Sequence, residues 1–389
     1  MMNNDLQNKI LKAFEERYPG FPVLIKSPGR INLIGEHTDY NEGFVFPATI
    51  DKYIYVAVAK SDNRYSSAYS IDFDESVKID LNKLEKQKNG SWKNYVIGVV
   101  SGIVEKTNLS DNFNLVFGGD IPIGAGLSSS AALENGIAFG LNSLFNLGLS
   151  SNEIMNISIE AEHNFAGVNC GVMDQFSNLN GKKNNAILLD CSDLSYKHIP
   201  VQFDDYQLLL INTNVKHQLT DSPYNQRKQS CKTGFEIIKK HFPSVSSLSR
   251  TTINQLNTVK AELTEEVYNR CLYVIEENSR VQSARKALEE RNWKEFGKQL
   301  FASHKGLKEL YEVSCDELDF LVDLAKQEPV VLGSRMMGGG FGGCTINLIE
   351  KKSIDRFINK VKLEYLNKYG LNPDFYSVNI TDGIKTVKL

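Results

Sequence analysis

Gly118-Gly119-Asp120-Ile121-Pro122-Ile123-Gly124-Ala125-Gly126-Leu127-Ser128-Ser129-Ser130-Ala131-Ala132 is the stretch on which the reading of this chain turns. A short apolar run, Leu115 to Phe117, precedes it, and Leu133, Ile137, Leu141 and Leu144 follow at the spacing of one helical face. The order is therefore strand, glycine loop, helix. Glycines permit positive φ and close approach of an anion, and the free N–H groups and dipole of a helix N-terminus favour negative charge. The three serines add hydroxyls suited to phosphate oxygens or to magnesium. The lysine of a G-x-x-x-x-G-K-[ST] loop is missing, so charge neutralisation must come from magnesium and from residues elsewhere. Taken alone, the stretch reads equally as a helix-capping turn that holds no ligand.

Upstream, Leu6, Ile10 and Phe14 mark an amphipathic helix that stops at Tyr18-Pro19-Gly20. Val23 to Ile25 and Tyr53 to Val58 read as strands, with a polar, glycine-containing loop between them. Downstream, a helix carries Ile154, Ile157, Ala161 and Phe165, and Ala186 to Leu189 closes the first half as a strand. The second half opens on a strand at Tyr206 to Ile211 and is helix-rich from about Tyr224 to Lys326. Strands at Val330 to Leu332 and Thr345 to Ile349 then flank a glycine cluster, a helix runs to about Tyr369, and Phe375 to Val378 supplies a last strand. A chain of 389 residues exceeds what one core usually organises, and two domains are expected, 1–199 and 200–389.

Composition narrows the function classes. With 41% hydrophobic and 23% charged residues the chain is of the soluble globular type. A net charge of −3, with both signs mixed along the chain, gives no footprint for nucleic acid or an anionic membrane. Val96 to Val104, the longest mostly apolar stretch, is too short to span a bilayer, and Met1 to Leu6 lacks the features of a signal peptide. The six cysteines contain no C-x-x-C pair, which argues against zinc or dithiol chemistry and fits a reducing cytosol.

Three further segments carry candidate chemistry. Ser27 to Asn41 concentrates Arg30, Glu36, His37, Asp39 and Asn41 around a proline and two glycines, a density of donors and acceptors suited to a polyhydroxylated ligand. As isolated residues, His37 reads as a structural histidine and Arg30 as a surface ion-pair partner. Glu162 lies on a helix with Ala161 and Phe165 on its apolar face, which leaves its carboxylate free to bind magnesium or merely to face water. Asp174 stands among small and apolar residues in Cys170-Gly171-Val172-Met173-Asp174-Gln175, a setting that suggests a general base or a charge-orienting group.

The segment from Gly29 to Ile50 resembles the galactokinase signature, and Gly119 to Leu133 resembles the ATP loop of the wider GHMP kinase superfamily. The likeness continues through Cys170 to Gln175, through Asn212 to His217 with Lys216, through Tyr224 to Arg227, and through Gly333 to Gly343. The resemblance implies an α+β, two-domain GHMP kinase fold with its site in the interdomain cleft, and ATP-dependent phosphorylation of the C1 hydroxyl of galactose. It implies that Glu36, His37, Thr38, Asp39, Gly171 and Tyr224 bind the sugar. Gly124, Ala125, Gly126, Leu127, Ser128, Ser129 and Ser130 would hold ATP, and Ser130 and Glu162 would bind Mg2+. Asp174 takes the place of the catalytic carboxylate, Arg30 that of the transition-state stabiliser beside it, and Trp92 is a candidate for the adenine pocket. A cytoplasmic monomer with no nucleic-acid or membrane partner is the further expectation. The rival readings are a kinase for another sugar or small alcohol, against which Glu36 to Asp39 argues, and a non-catalytic galactose sensor, which the uninterrupted Ser128-Ser129-Ser130-Ala131-Ala132 run disfavours.

Overall fold

Alternation along one long strand organises the first half. In Pro47–Lys60, Ile54, Val56 and Val58 join one apolar cluster while Tyr53, Tyr55 and Ala57 join another on the opposite face, as the two-residue period of a strand requires. The computed structural model describes residues 2–88, 91–122, 124–215 and 223–388. Its strands are β1 (Val23–Asn32), β2 (Phe44–Val45), β3 (Pro47–Lys60), β4 (Ser66–Ser70), β5 (Glu75–Ile79), β6 (Phe113–Gly119), β7 (Asn185–Asp190), β8 (Tyr196–Pro200), β9 (Tyr206–Asn212), β10 (Val331–Met336), β11 (Cys344–Glu350), β12 (Asp374–Val378) and β13 (Lys385–Val387). Its α-helices are α1 (Met2–Glu15), α2 (Trp92–Thr107), α3 (Ser129–Phe145), α4 (Ser151–Ala161), α5 (Met173–Asn180), α6 (Pro223–His241), α7 (Ile253–Thr258), α8 (Glu265–Glu289), α9 (Trp293–Glu309), α10 (Asp316–Gln327) and α11 (Ile354–Tyr369).

Three sheets result, in the orders β13-β1-β3-β6-β4-β5, β10-β11-β9-β12 and β2-β7-β8. Helix α1 covers one face of the first sheet through Ile10 and Phe14. Helices α2 and α3 cover the other through Val96, Val100, Ile137 and Leu141. That same cluster extends into the second half, where Leu210, Phe296, Leu300 and Ile346 join Val56 and Leu115. The mixed α+β architecture thus has an apolar seam between its halves, and the buried area along it ties the two together. Among the described residues no helix is long and apolar enough to cross a membrane.

Three local readings change. The run from Ser27 to Asn32, expected as the start of a loop, continues β1: after a register shift between Pro28 and Arg30, Arg30 pairs with Thr49 and Ile31 with Ala48. A bulge of this kind accommodates a proline that cannot donate to the ladder. Tertiary pairing outweighs the loop-like composition, and the consequence is that Arg30 projects from a rigid strand. Glu162 is likewise not within a regular α-helix; α4 stops at Ala161 and residues 162–166 form a wider π-turn, a distortion that recurs at functional sites. The last strand is also not β12, because the chain returns to pair β13 with β1.

Candidate active site

The glycine loop enters α3 through residues in left-handed backbone conformations, Gly124 (φ 75°), Gly126 (φ 74°) and Ser128 (φ 57°). Gly124 faces open space, whereas a Cβ on Gly126 would sit 3.2 Å from the Met337 carbonyl oxygen. Ala125 and Leu127 are buried and anchor the loop in the core. No side chain caps α3, so the positive end of the helix is left for another partner. Ser129 and Ser130 form its first turn.

Ser128 does not cap because its hydroxyl donates to Asp174 instead. Asp174 stands in the first turn of α5 and is gripped by Arg30 in a two-pronged pair, Nε to Oδ1 and Nη2 to Oδ2, each at 2.8 Å. A third Arg30 nitrogen donates to the Gly126 carbonyl, and the Arg30 N–H to the Leu127 carbonyl at 3.1 Å. Strand β1, the glycine loop and α5 therefore meet at one guanidinium. Burial opposes its charge, but Asp174, Glu36 and Asp39 more than offset this and hold Arg30 above its ordinary range. The planar fork fixes the carboxylate in position and orientation, as a lysine would not.

The Glu36 to Asp39 loop lies beside this pair. Glu36 Oε1 accepts from the Gly338 N–H at 2.9 Å and from Arg335 at 3.1 Å. Arg335 is wholly buried and also donates to the carbonyls of Asn32, Leu33 and Met336. His37 adopts φ 61° and presents Nδ1 to the Tyr40 hydroxyl at 2.7 Å; Tyr40 in turn meets Tyr311 at 2.9 Å. Burial, with Arg227 next, lowers the His37 pKa to about 3, so the ring is neutral. The Thr38 hydroxyl lies against the carbonyls of Gly35 and Phe44, at 2.8 and 2.7 Å, and closes the loop from within. Burial and the neighbouring Asp174 raise Asp39 to about 7. Gly171 is pressed against it: a Cβ there would fall 1.9 Å from Asp39 Oδ2. Tyr224 completes the wall, its ring 5.5 Å from that of His37 and 5.6 Å from that of Tyr40.

On the far side of Asp174, Ser130 donates to Glu162 Oε1 at 3.0 Å, and Gln175 Nε2 bridges Glu162 Oε2 (2.7 Å) and Glu134 Oε2 (3.3 Å). Burial pushes both glutamates up, with mutual repulsion next for Glu134 and the charge of Asp174 next for Glu162. Among the described residues the buried Glu134 Oε1 has no partner. Two carboxylates and a hydroxyl short of positive charge make a hard-oxygen donor set that fits a small divalent cation. No group of three or more His, Cys, Asp or Glu side chains is arranged around a cation among the described residues. A bound Mg2+ would accordingly draw further ligands from water and phosphate, as Mg2+ usually does.

Sequence reading therefore located residues that the fold gathers into one region: Arg30, Asp174, Glu36, His37, Asp39, Gly171, Tyr224 and the 124–130 loop. Trp92 stands apart, buried edge-on to Phe117 at the head of α2. Ile97 on the same helix lines a cavity of about 270 Å3 with Ile79, Leu84 and Lys86. Ile123, Lys216 and His217 lie outside the described residues. Arg335, Gln175, Glu134 and Tyr311 were not singled out. Only Arg335 left a signal, as a lone cation in the otherwise uncharged run from Val330 to Met337.

Comparison with known proteins identifies the family. Residues 12–60 match the galactokinase galactose-binding signature, 94–182 the GHMP kinases N terminal domain and 284–367 the GHMP kinases C terminal domain. A galactokinase of Thermosipho africanus is 41% identical, with 94% of this chain and 99% of the relative aligned. A galactokinase of Clostridium acetobutylicum is 40% identical over 99% of both chains. The crystal structure of Lactococcus lactis galactokinase complexed with galactose superposes with a TM-score of 0.94 at 34% identity, covering 98% of this chain and all of that one. A mevalonate kinase, at a TM-score of 0.66 and 18% identity, shares the fold. On this shared sequence and architecture, the chain belongs to the galactokinase family of GHMP kinases.

Proposed function

We propose that the protein transfers the γ-phosphoryl group of ATP to the C1 hydroxyl of α-D-galactose, giving galactose 1-phosphate and ADP. The observation that carries this reading is the Arg30–Asp174 fork, set between a glycine loop at an uncapped helix N-terminus and a wall of sugar-binding type. Galactose occupies the space walled by Glu36, His37, Asp39, Gly171 and Tyr224, and Thr38 serves the loop rather than the ligand. The phosphates lie along residues 124–130, facing the α3 N-terminus. The adenine lies toward α2, in the cavity where Ile79, Leu84 and Ile97 are the apolar members of a mostly polar lining that includes Lys78, Lys83 and Lys86.

In the reaction the C1 oxygen forms a bond to the γ-phosphorus as the bond from that phosphorus to the β,γ-bridging oxygen breaks, and ADP leaves. Asp174 accepts the C1 proton, and Arg30 keeps the carboxylate aimed while its positive charge stabilises the transferring group. The transition state of such a transfer is loose, so the fixed positions of these groups supply much of the rate. Ser130 and Glu162 would hold Mg2+, with Glu134 close behind; the ion, when bound, neutralises phosphate charge. We further propose a division near residue 200, a monomeric state, and a cytoplasmic place as the first step of galactose use.

The test is ATP consumption by the purified protein over a panel of hexoses, with the phosphorylated position determined. Galactose should be the preferred substrate, ahead of N-acetylgalactosamine in kcat/KM, and the product should carry phosphate on C1. Equal or reversed kcat/KM values for the two sugars would overturn the assigned selectivity. Binding of both ligands without a sugar phosphate would overturn the assigned activity.

A further inference from the structure

The loop that carries Glu36, His37 and Asp39 follows β1 in the first half, yet a helix of the second half holds it. Helix α8 presents Tyr273, Glu277 and Val281 at intervals of four, with Asn278 alongside, so these side chains share one face. The Glu277 carboxylate is fully buried; its Oε1 accepts from the Gly35 N–H at 2.9 Å and from the Ser303 hydroxyl at 2.7 Å, and its Oε2 from Arg280 Nε at 2.6 Å. The Tyr273 hydroxyl donates to the Glu36 carbonyl at 3.0 Å. Asn278 Oδ1 accepts from the Phe44 N–H at 2.7 Å, and its amide donates to the Ser249 carbonyl at 2.9 Å. Gly35 lies flat on the helix with φ 96°, and a Cβ there would come within 2.9 Å of Val281 Cγ2.

Both ends of the loop and its first carbonyl are thus fixed to α8. The reacting pair is held differently, by Leu127 and Gly126 of the first half. We infer that α8, through Glu277 with Tyr273 and Asn278, sets the affinity for the sugar without touching it. Glu277 is a positioning residue: its three partners are all donors, and it fixes the turn from which Glu36, His37 and Asp39 project. Loss of this register displaces acceptors that must meet sugar hydroxyls within a few tenths of an ångström, while the groups on ATP and on the transferred proton stay in place.

The inference rests on the reading of the 36–39 loop as the sugar site, and the experiment separates the two. Galactose binding to the full chain is measured by calorimetry for the parent, Asp39→Asn, Glu277→Gln and Tyr273→Phe, with thermal midpoints and steady-state KM for both substrates. The amide of Glu277→Gln opposes a donor with a donor. It should raise the galactose Kd and KM roughly tenfold or more, with the ATP KM within about twofold of the parent. Tyr273→Phe removes one neutral bond and should raise galactose Kd a few-fold, which keeps the test open if Glu277→Gln does not fold. A folded Glu277→Gln protein with a lowered thermal midpoint but parental galactose Kd overturns the inference, as does an equal rise in both KM values. If Glu277→Gln does not fold, a parental Kd in Tyr273→Phe overturns it. If Asp39→Asn leaves galactose Kd unchanged, the sugar-site reading fails first and the inference falls with it.

Discussion

Gly171→Ala isolates one contact on which sugar binding depends. Gly171 does not have a positive φ, so alanine brings no backbone strain and the effect is steric. The added methyl would stand 1.9 Å from Asp39 Oδ2, 2.4 Å from its Cγ and 3.0 Å from its Cβ, while ordinary contact begins at 3.4 Å. The carboxylate must therefore retreat by about 1.5 Å, enough to break a hydrogen bond of ordinary length, since such bonds weaken beyond about 3.2 Å. A hydrogen bond to a charged group contributes about 1.5–3 kcal/mol, so loss of one should raise the galactose KM roughly tenfold to a hundredfold. The ATP KM should stay near the parental value, because the glycine loop is untouched. Coupled steady-state kinetics with each substrate varied, alongside a thermal midpoint to confirm folding, reads both quantities. A parental galactose KM in a folded variant would refute the argument, for it would mean that Asp39 makes no contact worth displacing.

Asp174→Asn keeps the volume and removes the proton acceptor, so kcat should fall by about 10²–10⁴ with galactose Kd changed only a few-fold; near-normal turnover would remove Asp174 from the chemistry. Because Asp39 is raised to about 7 and hydroxyl recognition needs its ionised form, galactose kcat/KM should climb between about pH 6 and 8, and Asp39→Asn should abolish that inflection. The same shift has an opposite sign in stability. A carboxyl that keeps its proton in the fold to about 7 contributes fully below its unfolded value near 4 and loses that contribution as pH rises through 7. The thermal midpoint of Asp39→Asn should therefore fall less than that of the parent across this range; parallel pH profiles of the midpoint would contradict the assignment.

The glycine loop, the helix behind it and the alternation of β3 were legible because they are local: a period of two or of about four fixes which face is buried. Arg30 and Asp174 were legible as candidates, but no local pattern says that residues 144 positions apart form a two-pronged pair. The pair exists because α5 packs directly on β1, with Asn178 donating to the Ser27 hydroxyl at 2.9 Å and to the Pro28 carbonyl at 2.6 Å. The loop-like reading of Ser27 to Asn32 failed because proline and glycine signal turns only when no partner strand overrides them. Glu162 was placed on a helix correctly in kind, but the widening of that helix into a π-turn left no mark in the apolar spacing. The roles of Arg335, marked only as a lone cation in an apolar run, and of Glu277, not marked at all, were hidden for a different reason: what they do depends on carbonyls and N–H groups of a loop some 240 to 300 residues earlier, which side-chain chemistry alone does not announce.

The return of β13 to β1 bears on how the molecule is made. Leu24, Ile25 and Lys26 find their outer partners in Val387, Thr386 and Lys385, while Thr381 and Gly383 are stitched to Thr49 and Gly181. During synthesis the ribosome delivers β1 first and β13 more than 350 residues later, a wait of roughly 20–70 s at about 5–20 residues per second. Throughout that interval the nascent first sheet carries an open edge able to pair with a neighbouring chain. The hazard belongs to the unfinished chain rather than to the finished protein, in which β13 covers that edge.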